Sequence, residues 1–419
     1  MNRFSDREGK LVKLGKKRKD KITELLGLDS RAVVKVGVEE YLKELLLLAA
    51  ELLVNTEVEE RAGRRNERNG DRVCSRWGKQ DGSVMLMEQR VPMKKPRLRT
   101  GRNGTEVELE TYKQLNGKEL LNKAAGEKLL SGLSTRRFEK TVEEFVDSRG
   151  IGRQTISRRG IEEMSKRLEE FQKRSLDGLD ILVVFVDGVH LAETVYVTAV
   201  GVDKDGNKHV LGFEPGSTES SGVCRSLMSN LMEREILKED EGLLFVVDGG
   251  KGLKKAIREV FGRRAQVQRC TIHKKRNVEE KLPKKEQKEF REKFNAAYNK
   301  KTYKEAEKAF TELRAELLLR HRGAAANSLT EGLTEILTLH KLGIDGTLRR
   351  SLSTTNSIES IFSAARYYTR NVKRWQKEEQ MERWLASGLL EAEKNLRKIP
   401  GYTTLKTLKA ALTNSQECQ

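Results

Sequence analysis

The sequence predicts an α/β core interrupted by an all-helical insertion and preceded by a mostly helical, basic region. Three observations predict it. Two short apolar runs rich in β-branched residues, ILVVFVD at 181–187 and LLFVVD at 243–248, each end in an aspartate. Runs of that kind mark strands buried on both faces. Between them, TVYVTAVGV and KHVLGFE flank the turn DKDGN, which is a hairpin signal. From about 274 to 345 the chain is highly charged and helical in pattern, as in KKRNVEEKLPKKEQKEFREKF. A structureless loop of that length is improbable in a compact protein.

Taken in order, residues 1–60 read as a helical region, with Leu, Val and Ala at helical spacing between charges. The basic module at 61–116 carries RNG and QDG turn signals and the alternating run VMLMEQRV, so a small hairpin is expected. Its Arg64, Arg65, Arg68 and Trp77 are candidates to meet a sugar-phosphate backbone, although a lone Trp also serves to pin a small subdomain. Residues 117–176 read as helix, Gly turn and helix, LSTRRFEKTVEEFV, SRGIGR and QTISRRGIEEMSKRL, which is helix-turn-helix grammar. Thr155, Ser157, Arg158 and Arg159 then begin the second helix, where groove-reading residues sit. An ordinary helical hairpin with a solvated basic face is the alternative.

The core is expected in two parts, 177–273 and 351–399, around the helical insertion at 274–350, with a short tail at 400–419. Its first part reads strand, strand, strand, helix, strand, helix, strand. That is the order of the ribonuclease-H-like fold. In such a mixed sheet the first and fourth strands lie side by side, which brings Asp187 and Asp248 together.

Composition bounds the partners. Lys and Arg number 82 against 63 Asp and Glu, a formal charge of +19, which points to a polyanion. The longest apolar stretch, LKELLLLAAELLV, is broken by Lys and Glu and is too short to span a bilayer, so no membrane partner is expected. The charged N-terminus has no apolar signal core, and the four cysteines form no CxxC pair. A reduced, cytoplasmic, nucleoid-associated protein with nucleic acid as its partner is expected.

Transfer of a phosphodiester needs an activated oxygen nucleophile and a stabilised leaving oxygen, which two hard cations about 3.5–4 Å apart supply together. Hard cations prefer carboxylate oxygens. Asp187 is therefore assigned as a bridging ligand and Asp248 and Glu359 as flanking ligands of two Mg2+ ions, for which Mn2+ substitutes. Each acid has a bland reading: the aspartates as turn formers before Gly, and Glu359 as the partner of an Asn356 cap in a capping box. Cys270 and His273 form a CxxH that lacks the second pair a zinc centre needs, so a supporting role is expected. Arg366, on the same helix face as Glu359, and Lys373 further along are candidates to neutralise phosphates. The Gly-Gly-Lys after Asp248 lacks the spacing of a nucleotide-binding loop.

Several strings, RNERNG, LSTRRFEKTVEEF, VDGVHLAETVYVTAVGVDKDGNKHVLGFEPGSTE, FVVDGGKGLKKAI, QRCTIHKKRNV and TTNSIES, make the chain resemble the bacterial Mutator-type insertion-sequence transposases. The resemblance spans nearly the whole chain. It implies an acidic triad of Asp187, Asp248 and Glu359 on a ribonuclease-H-like catalytic core, Cys270 and His273 as the family's CxxH, and an all-helical insertion domain. It further implies cleavage and joining of DNA at terminal inverted repeats, target DNA as a second partner, and assembly as a homodimer or higher multimer. A ribonuclease-H-like nuclease without strand transfer, or a DNA-binding regulator without chemistry, are the alternatives.

Overall fold

The computed structural model describes residues 38–64, 74–86, 89–100, 104–116, 118–132, 153–238, 241–370, 372 and 374–417. The chain folds as two units, 1–163 and 164–419. Residues 1–37 of the expected N-terminal helical region, and the first helix and Gly turn of the expected helix-turn-helix, lie outside the described residues.

In the first unit a long helix, α1 (Val38–Ala62), packs on an antiparallel sheet of β1 (Ser75–Leu86), β2 (Gln89–Arg99) and the two-residue β3 (Glu106–Val107). Ala50, Val54, Val58 and Ala62 of α1 meet Val84, Val91, Met93 and Leu98 in a small core. The hairpin expected from VMLMEQRV is present, longer than its alternating run, with Ser75 opposite Arg99 and Leu86 opposite Gln89. A short helix, α2 (Glu110–Leu115), follows and has no cap of its own. The Glu57 carboxylate supplies one, accepting the N–H groups of Glu110 and Thr111 at 2.8 Å each. Burial pushes the Glu57 carboxyl up, but these bonds and Arg61 outweigh it and hold it below its ordinary value. Two more helices, α3 (Lys118–Leu130) and α4 (Arg153–Lys173), follow in sequence.

The second unit is built on five strands: β4 (Ile181–Leu191), β5 (Thr194–Asp203), β6 (Lys208–Pro215), β7 (Leu243–Val247) and β8 (Ala265–Arg269). Their order across the sheet is β6-β5-β4-β7-β8. The first three pair antiparallel; β7 joins β4 in parallel and β8 joins β7 in parallel. Helices α5 (Ser221–Glu233) and α6 (Lys251–Phe261) connect the later strands. The sheet is mixed and its first and fourth strands are neighbours, as the sequence predicts.

Side-chain alternation divides this sheet between two cores. Val184, Val186, Phe245 and Val247 face α5 and α6, meeting Leu227, Leu231, Leu253 and Ile257. Val183, Phe185, Leu244 and Val246 face the other way. There they meet three C-terminal helices, α14 (Asn356–Thr369), α15 (Glu378–Glu393) and α16 (Leu405–Glu417), through residues such as Ile358, Ile361, Phe362, Leu389 and Leu408.

Between β8 and α14 the chain makes a helical excursion: α7 (Thr271–Glu279), α8 (Lys284–Tyr298), α9 (Tyr303–Leu319), α10 (Gly323–Thr330), α11 (Leu333–Ile336), α12 (Thr338–Lys341) and α13 (Gly346–Leu352). Phe290, Phe294, Phe310, Leu317 and Leu329 give it a core of its own. The excursion closes where it began. The Thr271 N–H and hydroxyl both donate to the Ser353 carbonyl, at 2.9 and 3.0 Å, which returns the chain to the end of β8.

Candidate active site

Asp187 lies where β4 parts from β7. The parallel pairing ends at Val186 opposite Val247, and the next residues on the two strands are Asp187 and Asp248. The strand expected to stop at Asp187 instead runs on to Leu191, because Thr194–Val197 of β5 give Gly188–Leu191 an antiparallel partner. His190 is an exposed residue of that extension. Alternation fixes direction: Asp187 shares parity with Val183 and Phe185, and Asp248 with Leu244 and Val246, so both aspartates fall on the face covered by α14.

The two carboxylates are held differently. Asp248 bends back over its own turn, with Oδ1 accepting the Gly250 N–H at 2.9 Å and Oδ2 the Thr218 hydroxyl at 3.0 Å. The turn needs glycine: Gly249 has φ +104°, and a Cβ there would stand 2.2 Å from the Arg269 Nε. Asp187 accepts the N–H of Gly188 at 2.8 Å. Its pKa is raised, first by burial and further by the charge of Asp248; the Gly188 N–H, His273 and the Thr355 hydroxyl pull the other way without prevailing.

Cys270 and His273 adjoin this pair. Cys270 is 1% exposed and occupies the N-cap of α7, and His273 follows in the first turn of that helix. Burial raises the Cys270 thiol, but the imidazole and N–H of His273 and the N–H of Thr355 outweigh it, so its pKa is lowered. His273 is raised to about 9 by its hydrogen bond to Cys270 and by the charges of Cys270, Asp187 and Asp248, against burial. The charged form of the imidazole is thus favoured by the thiol it bonds and by the two carboxylates nearby. Thr355, fully buried, closes the group by donating its hydroxyl to the Cys270 Sγ at 3.7 Å.

Thr355 is also the N-cap residue of α14. This corrects the expected cap, which was Asn356. Asn356 is the first helical residue, no side-chain cap bond is formed, and Glu359 is left without a capping-box role. Glu359 stands one turn beyond Thr355 and donates its N–H to the Thr355 carbonyl at 3.2 Å. Its side chain is exposed, and among the described residues no three His, Cys, Asp or Glu side chains are gathered to hold a metal. The structure thus juxtaposes Asp187, Asp248, Cys270 and His273, and sets Glu359 near them without closing a cage. Thr218 and Thr355 were not singled out from sequence; each is a hydroxyl residue just before a helix, and that was the available signal.

The expected DNA-contacting residues have varied surroundings. Trp77 is 46% exposed with the Arg99 guanidinium 4.6 Å from its ring centre, so it does not pin a core. Arg158 is exposed and 3.9 Å from Glu162. Arg159 is largely covered and bonded to Asn122 at 3.3 Å and Glu162 at 3.4 Å, which ties α4 to α3 instead of offering the side chain to a groove. Ser157 is half-buried, and Arg64 and Arg366 are exposed. Arg65, Arg68, Lys373 and the side chain of Thr155 lie outside the described residues. Among the described residues no helix is long and apolar enough to cross a membrane.

Comparison with known proteins adds an independent line. The family model described as Transposase, Mutator family, matches residues 17–398. The transposase of insertion sequence element IS6120 from Mycolicibacterium smegmatis is 29% identical over 251 residues, covering 58% of this chain and 75% of that protein. That of IS256 in transposon Tn4001 from Staphylococcus aureus is 26% identical over 347 residues, 79% of this chain and 85% of its own. That of ISRM5 from Rhizobium meliloti is 25% identical over 404 residues, covering 93% and 97%.

Proposed function

The chain belongs to the Mutator family of transposases, and on that premise we propose that it binds the terminal inverted repeats of an insertion sequence, cleaves the element ends and transfers the freed 3′-hydroxyls to target DNA. The observation that carries the reading is the register of Asp187 beside Asp248 where β4 and β7 part, on the face covered by the helix that bears Glu359. The strand order and senses support a ribonuclease-H-like core. The formal charge of +19 supports a nucleic-acid partner, and we propose that the protein acts on DNA as a homodimer or higher multimer.

The donor set suits divalent cations. Two like charges brought together and partly buried favour neutralisation, and carboxylate oxygens suit Mg2+ or Mn2+. Asp187, Asp248 and Glu359 would hold such ions. Bound there, the ions would supply activation of the attacking oxygen and stabilisation of the leaving one. The protein's own part is orientation. Thr218 and the Gly250 N–H fix the Asp248 carboxylate, Thr355 sits between Asp187 and Cys270, and His273 bonds Cys270 beside the pair.

The test is incubation of the protein with Mg2+ and DNA carrying the ends of its own element. Strand-transfer products support the proposal; hydrolysis alone means a nuclease, and binding alone a regulator. Asp187→Ala, Asp248→Ala and Glu359→Gln are each expected to bind ends and abolish cleavage. Full cleavage by all three would sink the assignment.

A further inference from the structure

The exposed face of α14 continues past Glu359 in a way that phosphodiester chemistry alone does not require. Glu359, Ser363, Arg366, Tyr367 and Arg370 are all exposed, and at their spacing they line one side of the helix. Tyr367 is 53% exposed although it is a large aromatic residue. The Arg370 guanidinium lies 4.0 Å from its ring centre, and Tyr368 stands edge-on at 5.5 Å. Among the described residues neither Arg366 nor Arg370 has an acidic partner. Arginines of the helical excursion behave otherwise: Arg320 meets Glu289 at 2.8 Å and Arg322 meets Glu286 at 2.6 Å. Two guanidiniums without an acidic partner among the described residues, one of them against an exposed aromatic ring, on a helix whose cap faces Asp187, call for a ligand with both negative charge and a flat face.

We propose that this face of α14 holds an unpaired stretch of the DNA strand at the cleavage point, with a nucleobase stacked on Tyr367 and backbone phosphates on Arg366 and Arg370. Every base offers a π-face, and stacking on an exposed aromatic with arginine beside it is the recurring mode for single strands. Tyr367 follows Glu359 by eight residues, about 12 Å along the helix axis at the α-helical rise. At about 3.4 Å per stacked nucleotide the base on Tyr367 lies three to four nucleotides from the level of Glu359. Duplex DNA keeps its bases stacked on one another, so Tyr367 selects an end that is frayed or single-stranded.

The inference rests on the transposase reading but is tested without catalysis. Two mixed-sequence DNAs serve as probes, a blunt 30-base-pair duplex and the same duplex with a four-nucleotide overhang containing 2-aminopurine, with EDTA present throughout. The native protein is expected to bind the overhang more tightly and quench its fluorescence. Tyr367→Ala should weaken overhang binding roughly five- to tenfold, in the range for loss of one stacked base, and abolish quenching. Its blunt-duplex affinity should stay within twofold, and Tyr367→Trp should retain both signals. Equal overhang preference and quenching in native protein and Tyr367→Ala would overturn the stacking assignment. So would the absence of any overhang preference in the native protein. Failure of cleavage with Mg2+, by contrast, would count against the transposase reading and leave these fluorescence results standing.

Discussion

Replacing Thr355 by Val tests how far the site is organised by the helix cap. The side chain is fully buried, and its one hydroxyl hydrogen is shared between two acceptors, the Cys270 Sγ at 3.7 Å and Asp187, whose charged form it favours. Valine keeps the branched shape and removes only the hydroxyl, so no cavity is made and no donor is stranded. What is lost is one hydrogen bond that serves a charged or thiol acceptor, worth about 1.5–3 kcal/mol when the acceptor is ionised. For a unit of this size that corresponds to a drop of roughly 4–8 °C in melting temperature at about 2 kcal/mol. If the hydroxyl also orients Asp187, cleavage per folded molecule should fall at least tenfold. Thr355→Ser, which keeps the hydroxyl, should recover most of the activity. The assays are thermal unfolding by circular dichroism and end cleavage in Mg2+. A Val variant within 0.5 °C and twofold of the native protein would refute the reasoning.

Other substitutions probe other parts of the same scaffold. Arg234 is 7% exposed and donates to the carbonyls of Arg174, Leu211 and Phe171 at 2.8–3.1 Å, so Arg234→Met, which strands these buried acceptors, should cost about 3 kcal/mol or more in urea unfolding. A loss under 1 kcal/mol would show that water replaces it. His209 is raised above its ordinary value by Glu393 and Asp203, so its contribution to stability is complete below about pH 6.5 and is lost as pH rises through the raised value. The urea midpoint should therefore fall above neutral pH more steeply in the native protein than in His209→Gln, which keeps only the slope of other groups such as His273; parallel profiles would contradict this. Asp187→Asn removes one of two like charges and should raise metal-free stability by about 0.5–2 kcal/mol while reducing the gain on adding Mg2+. A destabilised variant with an undiminished Mg2+ response would count against the shared carboxylate site. Binding to DNA should weaken steeply with salt because phosphate contacts release counterions, and a flat salt profile would contradict a phosphate grip.

Local pattern made much of this protein legible. The wholly apolar runs at 181–187 and 243–248, the DKDGN turn and the helical charge pattern after 274 each report a property of a few neighbouring residues, and strands, turn and helices are found at those places. Parity along the strands was also readable: Asp187 and Asp248 continue the series of residues that face α14. Other features were hidden because they depend on partners distant in sequence. The extension of β4 to Leu191 exists because β5 pairs with it, although Asp187 before Gly188 also reads as a turn. The cap of α14 moved to Thr355 because that residue is buried against Cys270.

The three acids show where the division falls. The sequence by itself determined that Asp187 and Asp248 end apolar strand runs, since burial on both faces of a sheet selects such runs. The strand order already put them on adjacent strands; only the tertiary structure decided that they fall at the same level, through the parallel register of β4 and β7. Glu359 reaches their vicinity because the helical excursion closes on itself through Thr271 and Ser353 and sets Thr355 against Cys270. Chain closure over that distance is a property of packing, and no periodicity records it.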